Sequence, residues 1–130
     1  FFELNQKKIN FKHFAILNAY LIRRIISKEF KCKIKIKWPN DLLFSKKKIC
    51  GILQETITYG KKKFLIVGMG INTNFDPCIH GFSSTCLKYI IDRNIDNNKL
   101  LNIIKKKYEK FLTKTKKYSY LELIKYTNNI

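Results

Sequence analysis

Residues 37–55 read KWPNDLLFSKKKICGILQE, and this stretch decides the fold. Pro39 lacks an N–H and disfavours helix in the residue before it, so regular pairing ends at Trp38-Pro39 and a turn begins that carries Asn40 and Asp41. Residues 42–44 then read as a short apolar strand, 45–47 as a polar tip and 48–57 as the returning strand. Period-two alternation puts Lys48, Cys50, Ile52 and Gln54 on one face of that strand and Ile49, Gly51, Leu53, Glu55 and Ile57 on the other. The hairpin thereby holds an amide, a carboxylate and an ammonium (Asn40, Asp41 and Lys48) on one rigid frame. Such a set suits a phosphate, a metal ion and a polar ligand oxygen. A plain polar hairpin with a cationic tip is the commoner reading of a Lys-Lys-Lys turn, and Gly51 fits either a closely approaching ligand or a bulge.

Before this hairpin, residues 31–38 alternate strictly, with Cys32, Ile34, Ile36 and Trp38 on one face and four lysines on the other, which predicts a half-buried strand. Upstream, Asn10 is placed to cap a helix over 11–29, whose apolar stripe is Phe14, Leu17, Leu21 and Ile25 with Ala15, Ile22 and Ile26. His13, in the first turn, reads as a surface or half-buried residue, and 1–4 as the end of a strand. Downstream, Tyr59-Gly60 marks a hairpin tip leading into 64–69, a continuous apolar run that predicts a strand buried on both faces. Gly68 and Gly70 end it and leave room for a planar ligand, with the Asn72 amide just beyond. Residues 74–82, with Asp76-Pro77 and Gly81, read as loop. Three helices follow: one capped by Ser84 or Thr85 and running to about residue 92, one over 97–113 capped by Asp96, and one over 118–126.

A length of 130 residues bounds the chain to one domain, and a start at Phe1 reads as part of a longer protein. The net charge is +18, but the cations are almost all lysine, with arginine only at 23, 24 and 93. Bidentate recognition of phosphates and bases favours arginine, so the charge reads as a solvated lysine surface, with no specific nucleic-acid partner expected. Aromatics are not interleaved with the basic runs as a base-stacking platform needs. Cys32, Cys50, Cys78 and Cys86 form no C-x-x-C pair, which argues against a zinc site and for a reducing, cytoplasmic compartment. No apolar run approaches the roughly 18 residues that span a bilayer, so no membrane partner is expected.

The run Lys37-Trp38-Pro39-Asn40-Asp41, followed after six residues by Lys48 and then by Gly51-Ile52-Leu53 and Glu55, resembles the central motif of the biotin protein ligases. Gly68-Met69-Gly70-Ile71-Asn72-Thr73-Asn74 resembles that family's Gly-x-Gly-Ile-Asn segment, and Ser83-Ser84-Thr85-Cys86-Leu87 also fits. The resemblance implies an α/β (α+β) fold in which a mixed sheet is flanked by helices, as in class II aminoacyl-tRNA synthetases. Residues 1–130 would be the latter part of a biotin/lipoate ligase-type catalytic domain. The family's glycine- and arginine-rich phosphate loop and Ser/Thr-rich biotin segment would lie before Phe1. The DNA-binding domain and C-terminal β-barrel are expected to be absent.

The implied activity is ATP-dependent conversion of biotin to biotinyl-5'-AMP and transfer to a lysine of a biotin carboxyl carrier protein. By resemblance Lys48 is the catalytic lysine, contacting the biotin carboxylate and the α-phosphate. Asn40 and Asp41 lie by the phosphates, with Asp41 a candidate Mg²⁺ ligand. Gly51 and Gly70 give the ligands room, Asn72 reads adenine, and Lys37 is a further biotin/adenylate-binding residue. A lipoate-type ligase, a basic nucleic-acid-binding module and a non-catalytic remnant are the competing readings.

Overall fold

The computed structural model of the chain describes residues 1–4 and 9–128. Its central helix, α1 (Phe11–Phe30), begins where the sequence predicts. Asn10 accepts a hydrogen bond from the His13 N–H at 3.0 Å, and the Asn10 N–H donates to His13 Nδ1 at 3.3 Å. This reciprocal cap satisfies donors that a helix start leaves open. His13 therefore has a structural part, and its ring also stacks on Tyr120, with centroids 4.2 Å apart. The helix ends at Lys31, which turns left-handed (φ 49°).

That cap shortens the strand expected over 31–38. Only β2 (Lys35–Lys37) pairs, because the chain is still leaving the helix at Lys31 and first meets its neighbour where Lys35 lies opposite Leu43. The chain then turns through a cis Trp38–Pro39 peptide into β3 (Asp41–Phe44). Ser45 and Lys46, both at positive φ, make the tight turn to β4 (Lys47–Tyr59), and Gly60 (φ +60°) turns β4 into β5 (Lys62–Ile71). With β1 (Phe2–Glu3) on β5, the sheet order is β1-β5-β4-β3-β2. Every pairing between these strands is antiparallel, and the sheet's parallel component is an isolated bridge between Lys48 and Ser84.

The helices lie on one face of this sheet. α1 packs on β2, β3 and β4, and α3 (Asn97–Thr115) and α4 (Tyr120–Asn128) pack against α1. Phe14, Leu17, Ile22 and Ile26 of α1 meet Leu42, Ile49, Cys50, Ile52 and Leu65 of the strands, with Phe111 and Leu123 closing the core. On the other face Leu53, Ile57 and Tyr59 are exposed. The strand over 64–69 is accordingly covered on one side only: Leu65 is buried, while Gly68 and Gly70 are exposed. The apolar run alone could not distinguish this from two-sided burial. α2 (Leu87–Ile91) starts after Cys86 without a side-chain cap, since Ser84 and Thr85 are engaged with β4 instead.

One polar group sits inside the apolar stripe. Asn18, fully buried, donates from Nδ2 to Gln54 Oε1 at 2.9 Å and accepts from the Tyr108 hydroxyl at 2.9 Å, joining α1, β4 and α3. Burial raises the Tyr108 pKa above its ordinary value, so the hydroxyl keeps its proton and remains a donor. Asn18→Ala removes this junction and leaves the Tyr108 hydroxyl buried without an acceptor, so urea titration should show stability lowered by about 2 kcal/mol.

Cys50 gives a pH signature. Burial pushes its thiol from 9.0 up to about 12, with the Lys48 ammonium lowering it and Asp41 raising it by less. A folded-state pKa above the unfolded one stabilises the fold fully below pH 9 and progressively less as pH rises toward 12. In urea titrations, the stability advantage of wild type over Cys50→Ala should therefore shrink by about 1.4 kcal/mol per pH unit in that window.

Candidate active site

The register of the sheet breaks at Lys48. Leu42 lies opposite Cys50, but the next residue, Leu43, lies opposite Lys48, so Ile49 is an extra residue bulged out of the ladder. Strict alternation would give Lys48 the same face as Cys50, Ile52 and Gln54. The bulge corrects this: Ile49 and Cys50 are both buried in the core, and Lys48 turns to the open face. There its Nζ lies where a Cβ on Gly51 would be only 3.3 Å away. Gly51 thus makes room first for the lysine itself.

Directly opposed residues of a sheet share a face. Lys37 lies opposite Asp41, Asp41 opposite Gly51 and Gly51 opposite Gly70, so these four form one row across β2, β3, β4 and β5. Lys48 is drawn into that row by an ion pair, Nζ to Asp41 Oδ1 at 2.7 Å, with 41% and 21% of the two side chains exposed. At that exposure the pair contributes at most about 1 kcal/mol to stability. Its effect is to fix where the ammonium sits. Asn40, exposed in the turn, is held by its carbonyl accepting from the Ile52 N–H at 2.8 Å. A Cβ on Gly70 would meet nothing within 4 Å, so the floor beside Lys48 is open.

Asn72 is the residue that the sequence reading places least well. Its Nδ2 donates inward, to the Thr85 carbonyl at 3.0 Å and more weakly to the Lys48 carbonyl at 3.4 Å, so its donors serve the frame and its Oδ1 is left as an acceptor. Residues 83–85, read from the sequence as the approach to a helix, prove to be part of the site's support. The Lys48 N–H donates to the Ser83 carbonyl at 2.9 Å, and the Thr85 N–H donates to the Lys48 carbonyl at 3.0 Å. Asp76, read only as loop, accepts from the Ser84 hydroxyl at 2.5 Å and from the Cys78 N–H at 3.1 Å. These two bonds hold the Asp76 carboxyl below the usual carboxylate range. The Asp76-Pro77 pair signals a turn in the sequence, but nothing local signals the bond from Ser84 to Asp76.

Among the described residues no three His, Cys, Asp or Glu side chains converge on a possible metal position. Asp41 is a lone carboxylate on an open face. That suits Mg²⁺, which is commonly held by one or two carboxylates with substrate phosphates and water. His80 is exposed in the loop. Among the described residues no helix is long and apolar enough to cross a membrane.

Comparison with known proteins finds similar sequences and similar folds. Biotin--protein ligase 2 of Arabidopsis thaliana is 36% identical over 85 residues, covering 60% of this chain and 24% of that relative. The solved structure of the Aquifex aeolicus biotin protein ligase in complex with biotin and ATP superposes with a TM-score of 0.77 at 28% identity, over 96% of this chain and 53% of that one. Plasmodium falciparum LipL1 in complex with lipoate shares the fold, with a TM-score of 0.57 at 19% identity over 84% of this chain and 34% of that one. The chain therefore spans about a quarter of its curated relative and about half of the solved Aquifex ligase. The biotin/lipoate A/B protein ligase family profile matches residues 6–72, which include the whole of the row except its support at 83–85, and the chain belongs to that family.

Proposed function

We propose that the chain carries part of the catalytic domain of a biotin protein ligase, with the Lys48 row as its substrate-binding face. The observation that carries this reading is the Lys48–Asp41 pair laid over Gly51, beside the open floor at Gly70. The solved Aquifex relative binds biotin and ATP, and the implied chemistry has two steps. A carboxylate oxygen of biotin attacks the α-phosphorus of ATP, the bond from that phosphorus to the bridging oxygen breaks, and pyrophosphate leaves. The amine of a carrier-protein lysine then attacks the acyl carbon, AMP leaves and the nitrogen gives up a proton.

Neither step needs a covalent enzyme nucleophile, so the protein's part is positioning and charge stabilisation. Lys48 contacts the biotin carboxylate and the α-phosphate, and its ammonium stabilises the charge that grows on the phosphate oxygens. Asp41 orients that ammonium. Lys37, at the β2 end of the row, adds a cation for the phosphates. Gly51 and Gly70 let a flat ligand approach the strands, and the free Oδ1 of Asn72 is an acceptor suited to the amino group of adenine. Mg²⁺, when bound, neutralises triphosphate charge, with Asp41 and Asn40 the groups to hold it. The cysteines of the described chain are free thiols, which suits a reducing compartment.

Calorimetric titration of the chain with biotin and with ATP plus Mg²⁺ tests the reading. Saturable binding should be weakened about 100-fold or lost in Lys48→Ala, with an unchanged circular dichroism spectrum, and biotin should outcompete lipoate. Binding that survives Lys48→Ala overturns the assignment of Lys48, and preference for lipoate overturns the substrate.

Gly70→Val provides an independent check. The added side chain enters open space, so the unfolding midpoint should stay near wild type, while it stands where the ligand is expected. Adenylate binding should fall by about tenfold or more.

A further inference from the structure

Lys48 is secured at both ends. Asp41 holds its ammonium, but its backbone lies beyond the reach of β5, whose pairing with β4 ends at Cys50 and Ile71. Lys48 still lies opposite Leu43 of β3, but where β5 ends the backbone groups on that side of β4 need partners elsewhere. They find them in residues 83–85, which run parallel to β4 as a substitute strand, with Ser84 bridged to Lys48.

What holds that substitute strand in place is a side-chain clip. It follows an irregular loop that contains two left-handed residues, Cys78 (φ 47°) and Gly81 (φ 86°). Asp76 closes the loop on itself: one oxygen accepts both the Ser84 hydroxyl and the Cys78 N–H, and the Lys47 ammonium acts on the same carboxylate. The connection runs from Asp76 to Ser84, from Ser84 through its backbone neighbours to Lys48, and from Lys48 Nζ to Asp41. We propose that Asp76, acting through Ser84, is a positioning residue for Lys48, setting the backbone of the lysine whose tip Asp41 sets. The proposal rests on the reading of Lys48 as the substrate-contacting lysine. Asp76 and Ser84 touch no substrate in it.

Two measurements on the full chain decide it. The first is amide hydrogen exchange at Lys48 and Thr85, whose N–H groups make the two bonds between the strands. Asp76→Ala and Ser84→Ala should speed exchange at both by about tenfold or more while the Leu65 amide in the core is unchanged, and Ser84→Thr, which keeps the hydroxyl, should restore protection. Unchanged exchange at Lys48 overturns the proposal whether or not any ligand binds.

The second is calorimetry with a non-hydrolysable biotinyl-adenylate analogue. Asp76→Ala should weaken binding about tenfold in the wild-type background and have no further effect in Lys48→Ala, because its influence passes through that lysine. An equal loss in both backgrounds overturns the positioning role. A wild type that binds no analogue counts against the functional reading alone, and the exchange measurement still decides the role of Asp76.

Discussion

One extra residue in β4 governs the arrangement. A strand gives its side chains to two faces in alternation, and a single inserted residue reverses that assignment for everything beyond it. Here the insertion at Ile49 lets two consecutive apolar side chains, Ile49 and Cys50, enter the core while Lys48, one residue earlier, stands on the opposite face with Gly51. Without it, either the ammonium would point into the helix-covered side or Cys50 and Ile52 would leave it. Burying an unpaired lysine costs several kcal/mol, so the bulge is what reconciles a sealed core with a charged open face. On its other edge β4 outruns β5 at Lys48, and residues 83–85 take up the backbone bonding there.

Once Lys48 is on the open face, the rest of the row follows from sheet geometry. Lys37, Asp41, Gly51 and Gly70 are directly opposed across four strands, about 5 Å apart from strand to strand. The two glycines lie where side chains would otherwise fill the surface, and the two charges of opposite sign lie at the β2 and β3 end. The open face thus shows bare backbone at the two glycines and, beside them, an ammonium held by Asp41. Asp41 restrains the Lys48 ammonium.

Much of this was legible in the residues. Asn10 and the stripe Phe14, Leu17, Leu21, Ile25 announce α1, because a cap and a 3.6-residue period are local signals. Pro39 and Gly60 announce the hairpin ends for the same reason. The spacing from Asp41 to Lys48 to Gly51 brought together residues that do converge. The failures share one cause, which is that the deciding contact is distant in sequence or breaks a period. Alternation cannot reveal a bulge from inside the strand that carries it, so strict alternation sets Lys48 on the face opposite to the one it occupies. The left-handed cap at Lys31 consumed residues that alternate like strand. Thr85 pairs with a residue 37 positions earlier, and nothing near Thr85 announces it. Asn18 lies among apolar residues that argue for burial, and its two side-chain partners are on β4 and α3.

The division of the sheet into a covered and an open face also separates stability from chemistry. The large buried side chains, Phe14, Leu17, Ile22, Phe111 and Leu123 among them, all belong to the helix side. The residues of the row bury little apolar surface, and the Lys48–Asp41 ion pair is partly exposed, so they contribute little to the free energy of folding. A protein built this way can hold polar and charged groups in fixed positions without depending on them to fold. The connection between the two faces is Cys50, whose neighbours in the chain, Ile49 and Gly51, belong one to each. Its thiol is pushed up by the core and shifted by Lys48 and Asp41 on the far side. The bulge is where β4 passes from core to open face, with Ile49 and Cys50 buried and Lys48 and Gly51 on the other side.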